Sequence, residues 1–132
     1  MTIQRMDHFT IVTKDAEATA QFYNEMLGFS KGERPNFGFP GVWLWNDGKP
    51  ILHVIQKAEI PDSAGVLDHM AFWGTDLGHY IGKLKAKGMK YDLRRLPEGG
   101  FGAGTWQLFF LDPNGAKVEI DLAPTEVAPP GA

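Results

Sequence analysis

Residues 66–77 read VLDHMAFWGTDL, a strand-like apolar run interrupted by a histidine and followed by an aspartate suited to opening a helix. Residues 5–16 read RMDHFTIVTKDA. Asp7, His8 and Asp15 of the second stretch match Asp68, His69 and Asp76 of the first at a constant offset of 61 residues. A fixed offset over two kinds of element signals an internal repeat, so the fold is read from two copies of one unit.

Each copy continues alike. Residues 14–29, KDAEATAQFYNEMLGF, begin with Asp15 as N-cap and carry Phe22, Tyr23, Met26 and Leu27 at helical spacing. Gly28 suits the position just past the helix end. Residues 41–45 and 50–56, GVWLW and PILHVIQ, alternate as strands about the turn residues Asn46-Asp47-Gly48. After an aperiodic linker at 57–65 the series restarts with a strand and a helix at 75–88, capped by Thr75 or Asp76 and closed by Gly88. A strand at 89–96 follows, then a hairpin at 105–122 about Asp112-Pro113-Asn114-Gly115. Each half reads as strand, helix and three strands, an α+β pattern. One helix covers only one face of a sheet, so two βαβββ modules are expected to pair. Their bounds are about 3–57 and 66–122, within a single domain over 1–123, with the Pro- and Ala-rich residues 124–132 as a flexible tail.

Composition narrows the function. The 132 residues suffice for one domain's core. The chain has no cysteine, which leaves histidine and carboxylates as the strong metal ligands. A net charge of −3 with no basic stripe argues against nucleic acid as a partner. No apolar run reaches the roughly 20 residues of a membrane span. No secretory leader is read at the N-terminus, and the cytoplasm is the expected location.

The repeat also selects candidate site residues. His8 and His69 hold equivalent places in the first strand of each half. With one residue gapped, the last strands NDGKPILHVI and DPNGAKVEID place His53 opposite Glu119. All four are expected mid-strand, on the face that a pseudo-two-fold pairing would make concave. A lone strand histidine is more often a hydrogen-bonded core residue than a ligand, but repeat-related placement of three outweighs that prior. Two imidazoles and a carboxylate suit one divalent ion with open positions, so His8, His69 and Glu119 are the expected ligands. His53 is expected either as a fourth ligand or as an acid/base beside the metal, with Glu119 also sharing in catalysis. His79 falls on a lysine-rich helix and is read as solvated.

The stretches MDHFTIVTKDAEATAQFYNEMLGF, LDHMAFWGTDL and FFLDPNGAKVEI resemble the vicinal oxygen chelate superfamily of glyoxalases, fosfomycin- and bleomycin-resistance proteins and extradiol dioxygenases. The resemblance extends to about Leu122. It implies paired βαβββ modules in a half-open mixed β-barrel around a metal that the substrate chelates through adjacent oxygens. His8, His69 and Glu119 match the superfamily's ligand positions, whereas the fourth-strand position, here His53, varies. The resemblance also implies a small-molecule substrate and a homodimer.

Among the superfamily's chemistries, the two-histidine, one-carboxylate set suits an extradiol-dioxygenase-like reaction on Fe(II) or Mn, with Zn or Ni as other occupants. A glyoxalase I-like lyase, isomerase or epimerase is the alternative, although His53 departs from the glutamate common there. A metal-free protein that sequesters an apolar ligand is the second alternative. A fosfomycin transferase ranks low, because no Lys or Arg follows Glu119. Phe37, Trp43, Trp45 and Phe101 are expected to line a pocket for an aromatic or apolar substrate. The glycine-rich residues 98–105 lack the Lys-Ser/Thr ending of a phosphate loop, and read as a flap or a plain hairpin connection.

Overall fold

The helices form where the sequence supplies both ends. In the computed structural model, which describes residues 5–60, 62, 67–99 and 101–132, helix α1 runs Ala16–Leu27. Asp15 accepts a hydrogen bond from the Ala18 amide at its start, and Gly28 adopts a left-handed φ of 75° at its end. A side chain at Gly28 would be strained there, which is why glycine closes the helix. Ala20, Tyr23 and Met26 bury one stripe of α1 almost completely. Helix α2, Leu77–Ala86, is capped by Asp76.

The chain divides into two units, Met1–Ser63 and Ala64–Ala132. The first contains strands β1 (Phe9–Thr13), β2 (Ser30–Gly32), β3 (Gly41–Asn46) and β4 (Lys49–Gln56), in the order β1-β4-β3-β2. The second contains β5 (Met70–Trp73), β6 (Asp92–Arg95), β7 (Trp106–Leu111) and β8 (Lys117–Leu122), in the order β5-β8-β7-β6. In each sheet the first strand lies parallel to the last, and the remaining pairs are antiparallel. The class is α+β, with two four-stranded mixed sheets and two helices among the described residues.

The registers verify the repeat. Phe9 pairs with Leu52 and Thr10 with His53; Met70 pairs with Val118 and Ala71 with Glu119. Because Phe9 and Met70 are 61 residues apart, His53 and Glu119 occupy the same slot. The alternation read in PILHVIQ is also present: Leu52 and Val54 are buried, while Ile51, His53 and Ile55 share the opposite, half-buried face. Val118, Ile120 and Leu122 are the buried face of β8, and Leu77, Ile81 and Leu84 that of α2. Each fully buried aliphatic side chain contributes roughly 1.5–3 kcal/mol relative to exposure.

Two details depart from expectation. His8 and His69 stand immediately before β1 and β5 instead of mid-strand. Among the described residues both strands lie at a sheet edge, paired on one side only. Only His53 and Glu119 lie within strands.

Residues 124–132, expected as a flexible tail, make specific contacts with the rest of the second unit. Glu126 accepts hydrogen bonds from the Asp76 amide at 2.6 Å and the Leu77 amide at 3.4 Å. Its carbonyl accepts from Trp106 Nε1 at 2.9 Å, Pro124 O accepts from Arg95, and Gly131 O from Lys85. Composition alone hides this, because the anchors are single polar groups. A carboxylate at a helix N-terminus meets unsatisfied amides and the positive end of the helix dipole. Those bonds also hold Asp76 at a φ of 72°, a conformation that aspartate tolerates better than most residues.

The turns follow their chemistry. Asp47 and Gly48 both have positive φ, as a two-residue type I′ hairpin requires. Asp112 Oδ1 accepts from the Asn114 and Ala116 amides and so closes the second hairpin. The 98–105 segment joins β6 to β7. At its base the Leu96 amide donates to Thr105 O and Leu96 O accepts from the Gly104 amide; Gly99, Gly102 and Gly104 take positive φ, and Phe101 is fully exposed. Residue 100 lies outside the described residues, as do parts of the 57–65 linker.

Candidate functional site

The repeated Asp-His pair has the same geometry in both units. Asp7 Oδ2 lies 2.7 Å from His8 Nδ1, and Asp68 Oδ2 lies 2.7 Å from His69 Nδ1. A carboxylate only accepts, so each Nδ1 carries a proton, and the lone pair of a neutral ring is then on Nε2. The His8 hydrogen bond holds the Asp7 carboxyl below its usual range. His69, and then Lys117 at 3.4 Å, do the same for Asp68. Carboxylates that orient imidazoles in this way are the usual supports of metal-binding histidines. The sequence contained the signal as a duplicated dipeptide, but the aspartates' role emerges only from the ring orientation.

Beyond that shared pair the units differ. In the second, His69 Nε2 lies 3.3 Å from Glu119 Oε1. Glu119 is buried, and burial, followed by the neighbouring Asp121 carboxyl, pushes its pKa up. Asp121 Oδ1 is buried with no hydrogen-bond partner. Phe109 pairs with Glu119 across the sheet and meets the His69 ring edge-on at 6.1 Å. Arg94 and Lys117 lie over the Phe109 ring at 5.1 and 5.3 Å.

In the first unit, His8 stacks on His53 with centroids 3.7 Å apart and 17° between planes. His53 stacks in turn on Trp43 at 3.8 Å and 6°. Because β4 lies between β1 and β3, the His53 ring is held between the other two. Its Nε2 is 3.0 Å from Pro50 O and must donate, so the lone pair is on Nδ1. Burial, and then the nearby His8, lower its pKa below the ordinary imidazole value. Phe37 continues the aromatic row 6.0 Å from Trp43.

The remaining candidates separate. Trp45 lies over Gly32, where an added Cβ would come within 2.5 Å of the indole, and donates Nε1 to Glu33 O. Phe101 belongs to the other unit and faces solvent. Arg95 anchors Gly104 O and Pro124 O, whereas Arg94 pairs with Asp92 on the Glu119 face. His79 is exposed on α2. Among the described residues no three His, Asp or Glu side chains within a group stand close enough to hold a metal ion. Among the described residues no helix is long and apolar enough to cross a membrane.

Strand order, register and duplicated Asp-His pairs define a protein of two βαβββ units, and comparisons give the family. A sequence model of the glyoxalase/bleomycin resistance protein/dioxygenase superfamily matches residues 5–120, and the chain belongs to that superfamily. It is 29% identical over 121 residues to Glyoxylase I 4 of Arabidopsis thaliana, covering 87% of this chain and 68% of the relative. A solved structure assigned to the glyoxalase family, from Bacillus anthracis, superposes with a TM-score of 0.74 at 17% identity, over 93% of this chain and 98% of the other. A genomically encoded fosfomycin resistance protein from Listeria monocytogenes superposes with a TM-score of 0.73 at 16% identity, over 92% and 95%. At such identities the two structures speak for the fold alone.

Proposed function

We propose that the protein is a divalent-metal-dependent vicinal oxygen chelate enzyme with His8, His69 and Glu119 as ligands. The observation that carries this reading is the His69–Glu119 pair at 3.3 Å. Nδ1 is committed to Asp68, so a neutral His69 turns a lone pair toward a carboxylate oxygen. Two donor atoms thus stand side by side. Adjacent ligands bonded to one ion at about 2.0–2.2 Å stand about 3 Å apart, close to the spacing seen. Asp121, whose Oδ1 has no hydrogen-bond partner, adds a second carboxyl beside Glu119. His8 presents Nε2 in the same manner. Two imidazoles and a carboxylate are donor types that a divalent metal takes. A bound divalent ion would polarise two adjacent substrate oxygens and stabilise the charge that develops on them.

The substrate reading rests on the aromatic row. Trp43 and Phe37 continue an aromatic row from the His8–His53 stack, which favours an aromatic or apolar molecule with vicinal oxygens and an extradiol-type reaction on Fe(II) or Mn. A glyoxalase I-like proton transfer is the second reading, favoured by the Arabidopsis relative. Its metal would be Zn or Ni. The protein acts as a homodimer in either case. Trp73 and Leu111, on the face of the second sheet that carries Glu119, are 67% and 55% exposed, and a second copy would cover them.

The test is anaerobic reconstitution of tag-free protein with each metal, followed by a catechol panel and a hemithioacetal. Ring-cleavage absorbance with Fe(II) supports the first reading, and thioester formation with Zn or Ni the second. Failure to retain any divalent metal at stoichiometric occupancy sinks both and leaves a metal-free binding protein.

A further inference from the structure

We propose that His53 is a positioning residue for His8, holding that imidazole by face-to-face contact, and not a fourth ligand. The inference rests on the reading of His8 as a ligand and deepens it.

Coordination geometry separates the two roles. A ligand offers a lone pair in the plane of its ring, and the two faces of an imidazole offer none. His53 gives one face to His8 and the other to Trp43. Of its nitrogens, Nε2 is spent as a donor to Pro50 O, and the lone pair left on Nδ1 lies in the ring plane, away from the face that His8 meets. Glu119 fills the equivalent register slot in the second unit, and there it turns an oxygen toward the edge of His69. The same position thus turns a lone pair toward its histidine in one unit and a ring face in the other.

His8 needs such support because of where it stands. It precedes β1, outside the paired ladder, so the sheet restrains its backbone on one side only. Asp7 fixes the ring's tautomer and one edge through a single bond. The His53 face removes the remaining freedom to swing, and leaves Nε2 clear. Trp43 and the Pro50 carbonyl keep His53 itself in place. Outer contacts of this kind typically affect metal affinity by about 10–100-fold.

The experiment compares His53→Phe, which keeps the stack without a nitrogen, with His53→Leu, which removes the stack. Zn(II) affinity is measured by chelator competition, and His8 ring signals are followed by long-range 1H–15N spectra of metal-free protein. The phenylalanine variant is expected to retain wild-type affinity within about threefold and the upfield ring-current shift of the His8 protons. The leucine variant is expected to lose that shift and bind about tenfold more weakly. Trp43→Leu, which leaves His53 intact but removes its backing, should weaken binding in the same direction and guards against a leucine variant that misfolds.

Loss of zinc by His53→Phe as complete as by His8→Ala would make His53 a ligand and overturn the proposal. Wild-type affinity and shifts in His53→Leu would make it a bystander and overturn it equally. Undiminished zinc affinity in His8→Ala sinks instead the ligand reading of His8, while the ring-current shift still reports the stack.

Discussion

The two units share strand order, register and an Asp-His pair, yet they use one equivalent position in different ways. Beside His69 stands a buried carboxylate whose oxygen meets the ring's nitrogen edge. Beside His8 stands an imidazole that meets the ring's face and is itself backed by Trp43. A duplicated backbone therefore specifies where a side chain emerges, and the side chain's own geometry decides what it offers. A carboxylate at that slot supplies charge and a lone pair; an aromatic ring between two others supplies order. The comparison teaches that repeat symmetry is a guide to placement but not to role.

The comparison can be broken most forcefully at its foundation. Leu52 and Val118 fill equivalent buried slots. Leu52→Ala should destabilise the protein by about 2–5 kcal/mol, and Val118→Ala by less because fewer buried carbons are lost. Denaturant titration checks this; near-zero effects at either site would mean that the buried strand face is not what holds that unit.

Next in size is the shared Asp-His pair. Asp7→Asn and Asp68→Asn should each lower metal affinity about 10–100-fold while leaving stability nearly unchanged. An effect at one site only would show that a single unit carries the metal.

A smaller effect concerns a feature of the second unit alone. Glu126 occupies the start of α2 through two amides, and Glu126→Ala should cost about 1 kcal/mol. Thermal melts against a variant truncated after Ala123 would separate the Glu126 contribution from that of Lys85 with Gly131 O.

The smallest effect is in the pH dependence of metal-free protein, where the units should have opposite signs. Glu119 has a raised pKa in the fold, so its contribution is full at pH values below the ordinary carboxylate range and is lost as the pH rises through its folded value. His53 has a lowered pKa, so its contribution is present above the ordinary imidazole value and is lost as the pH falls through its folded value. Relative to wild type, Glu119→Gln should lose stability less as the pH rises, and His53→Phe should lose it less as the pH falls. Chemical denaturation across the pH range reads both, and matching slopes in the variants and wild type would remove these two groups as the cause.

Much of this was legible in the residues themselves. Helix ends follow from Asp15, Gly28 and Asp76, hairpins from Asp47-Gly48 and Asp112, and the module pattern from the 61-residue offset. These are local effects, set by backbone conformation and by hydrogen bonds between near neighbours, so a linear reading captures them. The equivalence of His53 and Glu119 was also accessible, because register follows from alternation and turn length. Other features depended on groups far apart in sequence. That Asp7 and Asp68 orient their histidines is a matter of ring rotation, which adjacency permits but does not dictate. That His53 lies flat between His8 and Trp43 required its two neighbouring strands to bring each of those rings within 4 Å of His53. That the last residues hold α2 depended on one carboxylate reaching amides 50 positions away. Composition and periodicity record which side chains share a face; only the folded chain decides which atoms of those side chains meet.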